Sequence, residues 1–310
     1  MGIELIKSIT IALFFGVVAF IVLLAGYALG LGGSFIGMVI ISFVFIGIQW
    51  YIGPWIVKVV TGCKPADRAQ YPELWAMFEE LSQKAGFSKP PELYIVNSPS
   101  PNAFAFGRTK SSSAVAVHTG LLEILNKEEI RGVLAHELGH IANGDNTIMT
   151  LASSLPIILY YFAYFFISGR DDREKTISTL LLSFVAAIVA RLIGQLIVLW
   201  LSRAREYEAD AFAKRLTGNP KALSAALAKI TYTSALIPQQ QSIEAMRSFY
   251  IASPSHDEQM LAQQVAAETR GSLDVDKLIK AMESESKSGI LSWFSTHPPT
   301  VQRIRRLMAS

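Results

Sequence analysis

Four stretches of the chain are nearly unbroken runs of apolar residues, and the pattern between them switches to mixed, periodic segments. The runs cover Ser8–Leu29, Ser34–Val57, Thr147–Ser168 and Ile177–Leu201. Each reaches the roughly 20 residues that a helix needs to cross the hydrocarbon core of a bilayer. Only GLGG separates the first two, so they are predicted to form a transmembrane hairpin. Tyr51, Trp55 and Trp200 stand near run ends, where amphipathic rings suit the headgroup level. The first run is too long for the apolar region of a secretory signal, and no small-x-small cleavage site follows it. It therefore reads as a membrane helix rather than a cleaved leader.

After Val57 the pattern becomes that of a folded domain. In DRAQYPELWAMFEELSQKAGF, Leu74, Met77, Phe78 and Leu81 recur at helical spacing until Gly86 stops the run. Strand-like stretches follow, ELYIVN, NAFAFG and SAVAVHTGLLEIL, separated by proline- and serine-rich turns. Asn126 with Glu129 three residues on predicts a capping box. The helix behind it carries Ile130, Val133, Leu134 and Ile141 on one face, and Gly144 is placed to end it. Residues 219–288 read as polar helices that pack or gate substrate. No internal repeat or low-complexity tract is present.

Composition sharpens this picture. Hydrophobic residues make up 51% and charged residues 17% of the 310 residues, and mean hydropathy is +0.35. Soluble chains carry charge on about a quarter of their residues. Lysine and arginine gather between Lys58 and Arg131 and again from Arg203 to Arg306. The GLGG loop has none, and the short GRDDREKT loop balances three basic against three acidic residues. The positive-inside rule then places both termini and the motif-bearing segments in the cytoplasm, with the protein multi-pass in the plasma membrane. The net charge of +3 is mild, and the basic residues are not interleaved with aromatics, so no nucleic-acid partner is expected. The single Cys63 forms no internal disulfide, which agrees with a reducing compartment. The predicted fold class is α+β: a four-helix integral membrane protein with a cytoplasmic zincin-type domain. The expected divisions are a hairpin over 1–57, a cytoplasmic subdomain over 58–146, a second hairpin over 147–201 and a cytoplasmic helical subdomain over 202–310.

The chemistry sits in GVLAHELGHIANGD. On a helix, His136 and His140 stand one turn apart on the same side, close enough for both imidazoles to reach one tetrahedral zinc ion. Glu137 between them points beside the ion, where it can take a proton from water. A chance match is improbable, because the chain has only five histidines and the helix signals flank the motif. Catalytic zinc needs a third protein ligand and an open position. A continuation of HExxHxxGxxH type is excluded, since Asn143 and Asn146 stand where its glycine and third histidine belong. Just beyond the fourth apolar run, SRAREYEADAFAKRL carries Glu206 and Asp210 one turn apart. Glu206 is the favoured third ligand, and Asp210 can accept the free ring N–H of a ligating histidine. His118, His256 and His297 compete for the ligand position.

Together, HELGHIANGD, SRAREYEAD, PNAFAFG and THPP among four membrane segments resemble the HtpX family of membrane zinc metalloproteases. These are relatives of the CAAX prenyl proteases within the gluzincins, and the resemblance covers essentially the whole chain. It implies a zinc endopeptidase of the plasma membrane that faces the cytoplasm and acts on membrane proteins in quality control, with one zinc ion per subunit. It supports His136, His140 and Glu206 as ligands and Glu137 as the catalytic glutamate. In the family's pattern Asn102, Ala103 and Phe104 lie on an edge strand that binds extended substrate through main-chain hydrogen bonds. The histidine of THPP and an arginine six residues later, here His297 and Arg303, are implied to face the substrate carbonyl or backbone. Prenyl-peptide processing is the weaker inference, because the prenyl proteases have seven membrane segments. Outside the family, a narrow-specificity peptide-processing protease or a non-catalytic, zinc-stabilised membrane scaffold remains open.

Two features stay unassigned. Arg191 and Gln195 lie inside the fourth run, where an arginine is costly and faces a partner or water. Gly26 and Gly30 match a small-xxx-small pattern of low specificity.

Overall fold

A computed structural model of the chain describes residues 26–27, 29–30, 35–168, 177–236, 251, 256–268, 279 and 297–309. Most of the first apolar run, most of the GLGG turn, the GRDDREKT loop and much of 237–296 lie outside them. Two compact units are formed, Met1–Gly53 with Thr147–Leu201, and Pro54–Asn146 with Ser202–Ser310.

Among the described residues of the chain, three helical spans are long and apolar enough to cross a membrane: Ile36–Thr61, Asp145–Tyr164 and Ile177–Thr217. The first belongs to α1 (Phe35–Thr61), which contains Pro54. The third apolar run was expected as one helix and is two, α5 (Asp145–Ala152) and α6 (Leu155–Ser168). Pro156 is the cause: it has no N–H to continue a helical ladder, but it suits a first helical turn. The Ser153 and Ser154 hydroxyls close the gap by donating to the Thr150 and Leu151 carbonyls at 2.6 Å each. The fourth run departs the other way. It was expected to end at Leu201, but α7 continues unbroken from Ile177 to Thr217 and carries Glu206 and Asp210 on the same helix.

The second unit is built on a four-stranded sheet of β1 (Lys64–Pro65), β2 (Glu92–Val96), β3 (Ala103–Gly107) and β4 (Ser113–His118) in the order β1-β2-β4-β3. β2 and β4 are parallel, and the other pairings are antiparallel. The period-2 alternation of the strands buries both faces. Leu93, Ile95, Ala103, Ala105, Val115 and Val117 join the main core, while Tyr94, Val96, Phe104, Phe106, Ala114 and Ala116 pack on the opposite side with Val57. SAVAVHTGLLEIL, expected as one extended stretch, turns after His118 into the short helix α3 (Thr119–Ile124). The turn is set by contacts across the sequence: Gly120 N–H donates to Ser98 O at 2.9 Å, and Thr119 Oγ1 donates to the same carbonyl at 3.0 Å. Gly120 also passes so close to the Pro99 carbonyl that a side chain there would collide with backbone.

Helix α2 (Pro72–Lys84) buries Leu74, Phe78 and Leu81, as its periodicity predicted, against the helix that bears the motif. That helix, α4 (Lys127–Asn143), starts at a complete capping box. Glu129 N–H donates to Asn126 Oδ1 at 3.0 Å, and Asn126 N–H donates to Glu129 Oε2 at 2.9 Å. It ends at Gly144, whose φ of 73° is the left-handed conformation that glycine adopts without strain. Helix α8 (Pro220–Leu236) packs on α4 and also contacts α9 (His256–Glu268) and α10 (Thr300–Met308). Lys229 of α8 reaches Glu129 at 2.8 Å and anchors the start of α4. Helix α10 buries Val301, Ile304 and Leu307. Its other side docks on α7: Tyr207 OH donates to Gln302 at 3.0 Å, and the Arg306 guanidinium lies 3.7 Å from the Tyr207 ring centre.

Candidate active site

Two helices bring the motif residues together within the second unit. Helix α4 presents His136 and Glu137, both buried, and the partly exposed His140, and the C-terminal part of α7 presents Glu206 and Asp210. The helices approach closely because residue 139 is glycine. A Cβ there would stand 3.2 Å from both the Ala209 Cα and the Phe212 Cβ of α7, tighter than ordinary packing. The glycine of HELGH thus lets Glu206 reach the histidines.

Ligand atoms of His136, His140 and Glu206 all lie within 4.8 Å of one another. The two Nε2 atoms are 3.1 Å apart with the rings at 86°. Glu206 Oε2 is 3.7 Å from His136 Nε2, and Oε1 is 3.5 Å from His140 Nε2. The tautomers decide what this cluster is for. His136 Nδ1 lies 3.0 Å from Asp210 Oδ1, and His140 Nδ1 lies 2.6 Å from Asp145 Oδ2. A carboxylate fixes each Nδ1 as the donor, so both Nε2 atoms carry lone pairs. Two lone pairs 3.1 Å apart cannot hydrogen-bond to each other, although Arg303 stands near the cluster, with Nη2 3.3 Å from His136 Nε2 and Nη1 3.0 Å from Glu206 Oε2. A cation shared by the two facing nitrogens resolves their conflict. Two nitrogens about 2.05 Å from one tetrahedral zinc ion lie about 3.3 Å apart, close to what is observed. The donor set therefore fits zinc.

Around the ligands, charge is balanced by arginine. Arg303 is 1% exposed and all its nitrogens are engaged. Nε and Nη2 donate to the two oxygens of Asp210 at 2.9 and 2.8 Å, Nη1 donates to Ile251 O at 2.5 Å, and Nη1 is 3.0 Å from Glu206 Oε2. Burial alone would raise the Glu206 carboxyl. The positive charges of His297 and Arg303 outweigh it and hold the group well below the usual carboxylate range. Asp210 is likewise raised by burial, but the Arg303 guanidinium and the His136 bond bring it down on balance. Arg205 pairs with Asp145, and burial pulls its guanidinium down to about 10.

His297 stands beside Glu206, with Nδ1 3.3 Å from Oε1, and is 6% exposed. Nδ1 thus faces the Glu206 carboxylate, while Nε2 makes no hydrogen bond. Glu137 is 3% exposed, and its charge adds to the field that acts on Arg303. His118, a competing ligand candidate, is elsewhere: its Nδ1 meets the Ser100 carbonyl at 2.9 Å, and burial pushes its pKa down to about 4. The side chain of His256 is outside the described residues. Arg191 and Gln195 lie exposed on α7 in the other unit.

The strand expected to meet substrate is β3, which starts at Ala103, so Asn102 lies just before it. β3 is last in the sheet order, and no further strand pairs with it among the described residues. The Asn102 side chain, 2% exposed, accepts the Ile251 N–H on Oδ1 at 3.0 Å. Ala103 is buried in the main core and Phe104 on the opposite face, so any substrate contact here is through the backbone.

Sequence reasoning missed Asp145, Arg205 and Ile251. Asp145 sits in the quoted motif just past the Gly144 turn, and Arg205 directly precedes Glu206. The proximity to ligands was the available signal.

Comparison with known proteins agrees with this geometry. The Peptidase family M48 pattern matches residues 68–310. A "Protease HtpX homolog" of Methanothermobacter thermautotrophicus is 40% identical over 229 residues, covering 74% of this chain and 85% of that protein. Another, from Lactobacillus helveticus, is 31% identical over 312 residues and covers 94% of this chain and 93% of its own. The crystal structure of S. mikatae Ste24p has a TM-score of 0.62 at 19% identity. It covers 98% of this chain, which spans only 65% of that protein, so this likeness speaks for the fold. With its apolar helices and its His-His-Glu cluster, the chain belongs to peptidase family M48 and is a membrane metalloprotease.

Proposed function

We propose that the protein is a zinc-dependent endopeptidase that cleaves membrane proteins, misfolded ones among them, at the cytoplasmic surface of the plasma membrane in protein quality control. Supporting this, the four apolar runs and the placement of lysine and arginine argue for a multi-pass protein with cytoplasmic termini. Along the chain, Thr147 follows His140 by seven residues and Glu206 follows Leu201 by five, so both ligand-bearing segments adjoin apolar runs.

The carrying observation is the convergence of three metal donors with Glu137, 3% exposed, on the helix between the two histidines. A zinc ion held by His136, His140 and Glu206 would act as a Lewis acid toward water and the scissile carbonyl. Glu137 accepts the proton of the attacking water on its carboxylate and delivers it to the leaving amine. His297, with Nδ1 beside Glu206 and Nε2 unbonded, donates to the developing oxyanion. Arg303 holds Asp210, and through it His136, rather than meeting substrate. The substrate backbone lies as an added strand along Asn102, Ala103 and Phe104.

A scaffold that used zinc only for stability has no use for Glu137. In the test, Glu137→Gln is compared with wild type for casein cleavage and zinc content. Cleavage should fall by about 10²–10⁴-fold with zinc retained. Wild-type turnover in the zinc-loaded variant would refute the mechanism.

A further inference from the structure

The two ligating histidines are held in the same way, and only one of the two holders was expected. His136 is oriented by Asp210, which Arg303 grips. His140 is oriented by Asp145, which Arg205 grips. We propose that Asp145 is the positioning residue of His140 and that Arg205 keeps Asp145 in place, a second carboxylate–arginine pair that sets the metal affinity of the centre. The inference rests on the reading of His136, His140 and Glu206 as zinc ligands.

The physical case starts from His140, the more accessible histidine, with 17% of its side chain exposed against 1% for His136. An imidazole near water samples both tautomers, and only the one protonated on Nδ1 offers Nε2 to the metal. A carboxylate 2.6 Å from Nδ1 selects that tautomer and locks the ring plane, and it also makes the imidazole a better donor. The geometry of the chain delivers it. Gly144 turns the backbone out of α4 in the left-handed conformation, and the next residue, Asp145, folds back beneath His140. Asp145 is itself 5% exposed, and a buried carboxylate needs a cation. That cation comes from α7 at the position before Glu206, so the backbone that carries the third ligand also carries the clamp. Arg205 is thereby tied to two ligands at once, one through Asp145 and one along the chain.

The experiment uses the full-length protein in detergent and measures zinc affinity by chelator competition, with cobalt(II) absorption as a spectroscopic check. Asp145→Ala should raise the zinc dissociation constant by about 10- to 100-fold and shift the cobalt bands. Arg205→Gln should act in the same direction but less, and adding it to Asp145→Ala should change little, since the two act as one unit. Asp145→Asn keeps the shape and an acceptor oxygen, so it decides the matter should the alanine variant not fold. A rise above about threefold in Asp145→Asn supports the proposal, because losing the charge alone weakens the centre. A smaller change, with cobalt bands like the wild type, overturns it. Glu206→Ala serves as the reference. If that variant also binds zinc normally, the ligand assignment fails, and the cause is distinguished from a failure of the Asp145 pair.

Discussion

Arg303 and His297, expected together at the substrate carbonyl, differ in what they are bonded to. Arg303 gives two hydrogen bonds to Asp210 and one to the Ile251 carbonyl, while His297 faces Glu206 with Nδ1 and leaves Nε2 unbonded. Their substitutions should therefore separate. Arg303→Ala leaves Asp210 buried without its cation, a loss of about 3–5 kcal/mol in stability, and zinc binding weakens with it. His297→Ala should keep fold and zinc but lose about 10²–10³-fold in turnover. Thermal unfolding, zinc content and steady-state cleavage of both variants check this. A stable, zinc-loaded but inactive Arg303→Ala would return that residue to the substrate. The family resemblance implied both residues near the site, yet it could not assign the contacts of Arg303, since its partner Asp210 lies 93 residues away. Asp145 escaped notice for the same reason: its clamp is on another helix.

Among elements, what was legible is what is encoded locally. The capping box of Asn126 and Glu129, the stop at Gly144 and the apolar periodicity of α2 and α4 each act within a few residues, and each appears as expected. Boundaries decided by distant contacts or by competing local signals were not. The turn after His118 depends on Ser98 and Pro99, and the break at Ser153 and Ser154 on Pro156 and two serine back-bonds. The unbroken α7 was hidden because hydropathy changes at Leu201 while helix propensity does not. One consequence concerns the contact between α4 and α7. Gly139→Val adds a branched side chain where even a Cβ would stand 3.2 Å from the Ala209 backbone, so the helices must part. Overpacking of this kind costs about 1–3 kcal/mol, and Glu206 moves away from the histidines. The expected result is a lower melting temperature and weaker zinc binding by chelator competition. Unchanged zinc affinity would show that α7 is held in place by other contacts.

The whole molecule is a membrane metalloprotease of family M48, and the proposal adds which side of the membrane the site faces. Hydropathy made the apolar runs legible, and HELGH made the chemistry legible, because both are short-range patterns. Orientation rests on lysine and arginine placement. Single cysteines introduced at residue 172 and near either terminus, after replacing Cys63, should label oppositely with an impermeant maleimide. Residue 172 is expected outside the cytoplasm and the termini inside. An external C-terminus would place the site on the other face and end the quality-control reading.

The central claim is a hydrolytic zinc centre made by His136, His140 and Glu206, and zinc K-edge X-ray absorption on the purified wild-type protein tests it most directly. The account predicts one zinc per chain with four light-atom neighbours at about 2.0–2.2 Å, two of them imidazole nitrogens. A sulfur neighbour at about 2.3 Å, three imidazoles, or no stoichiometric zinc would contradict it.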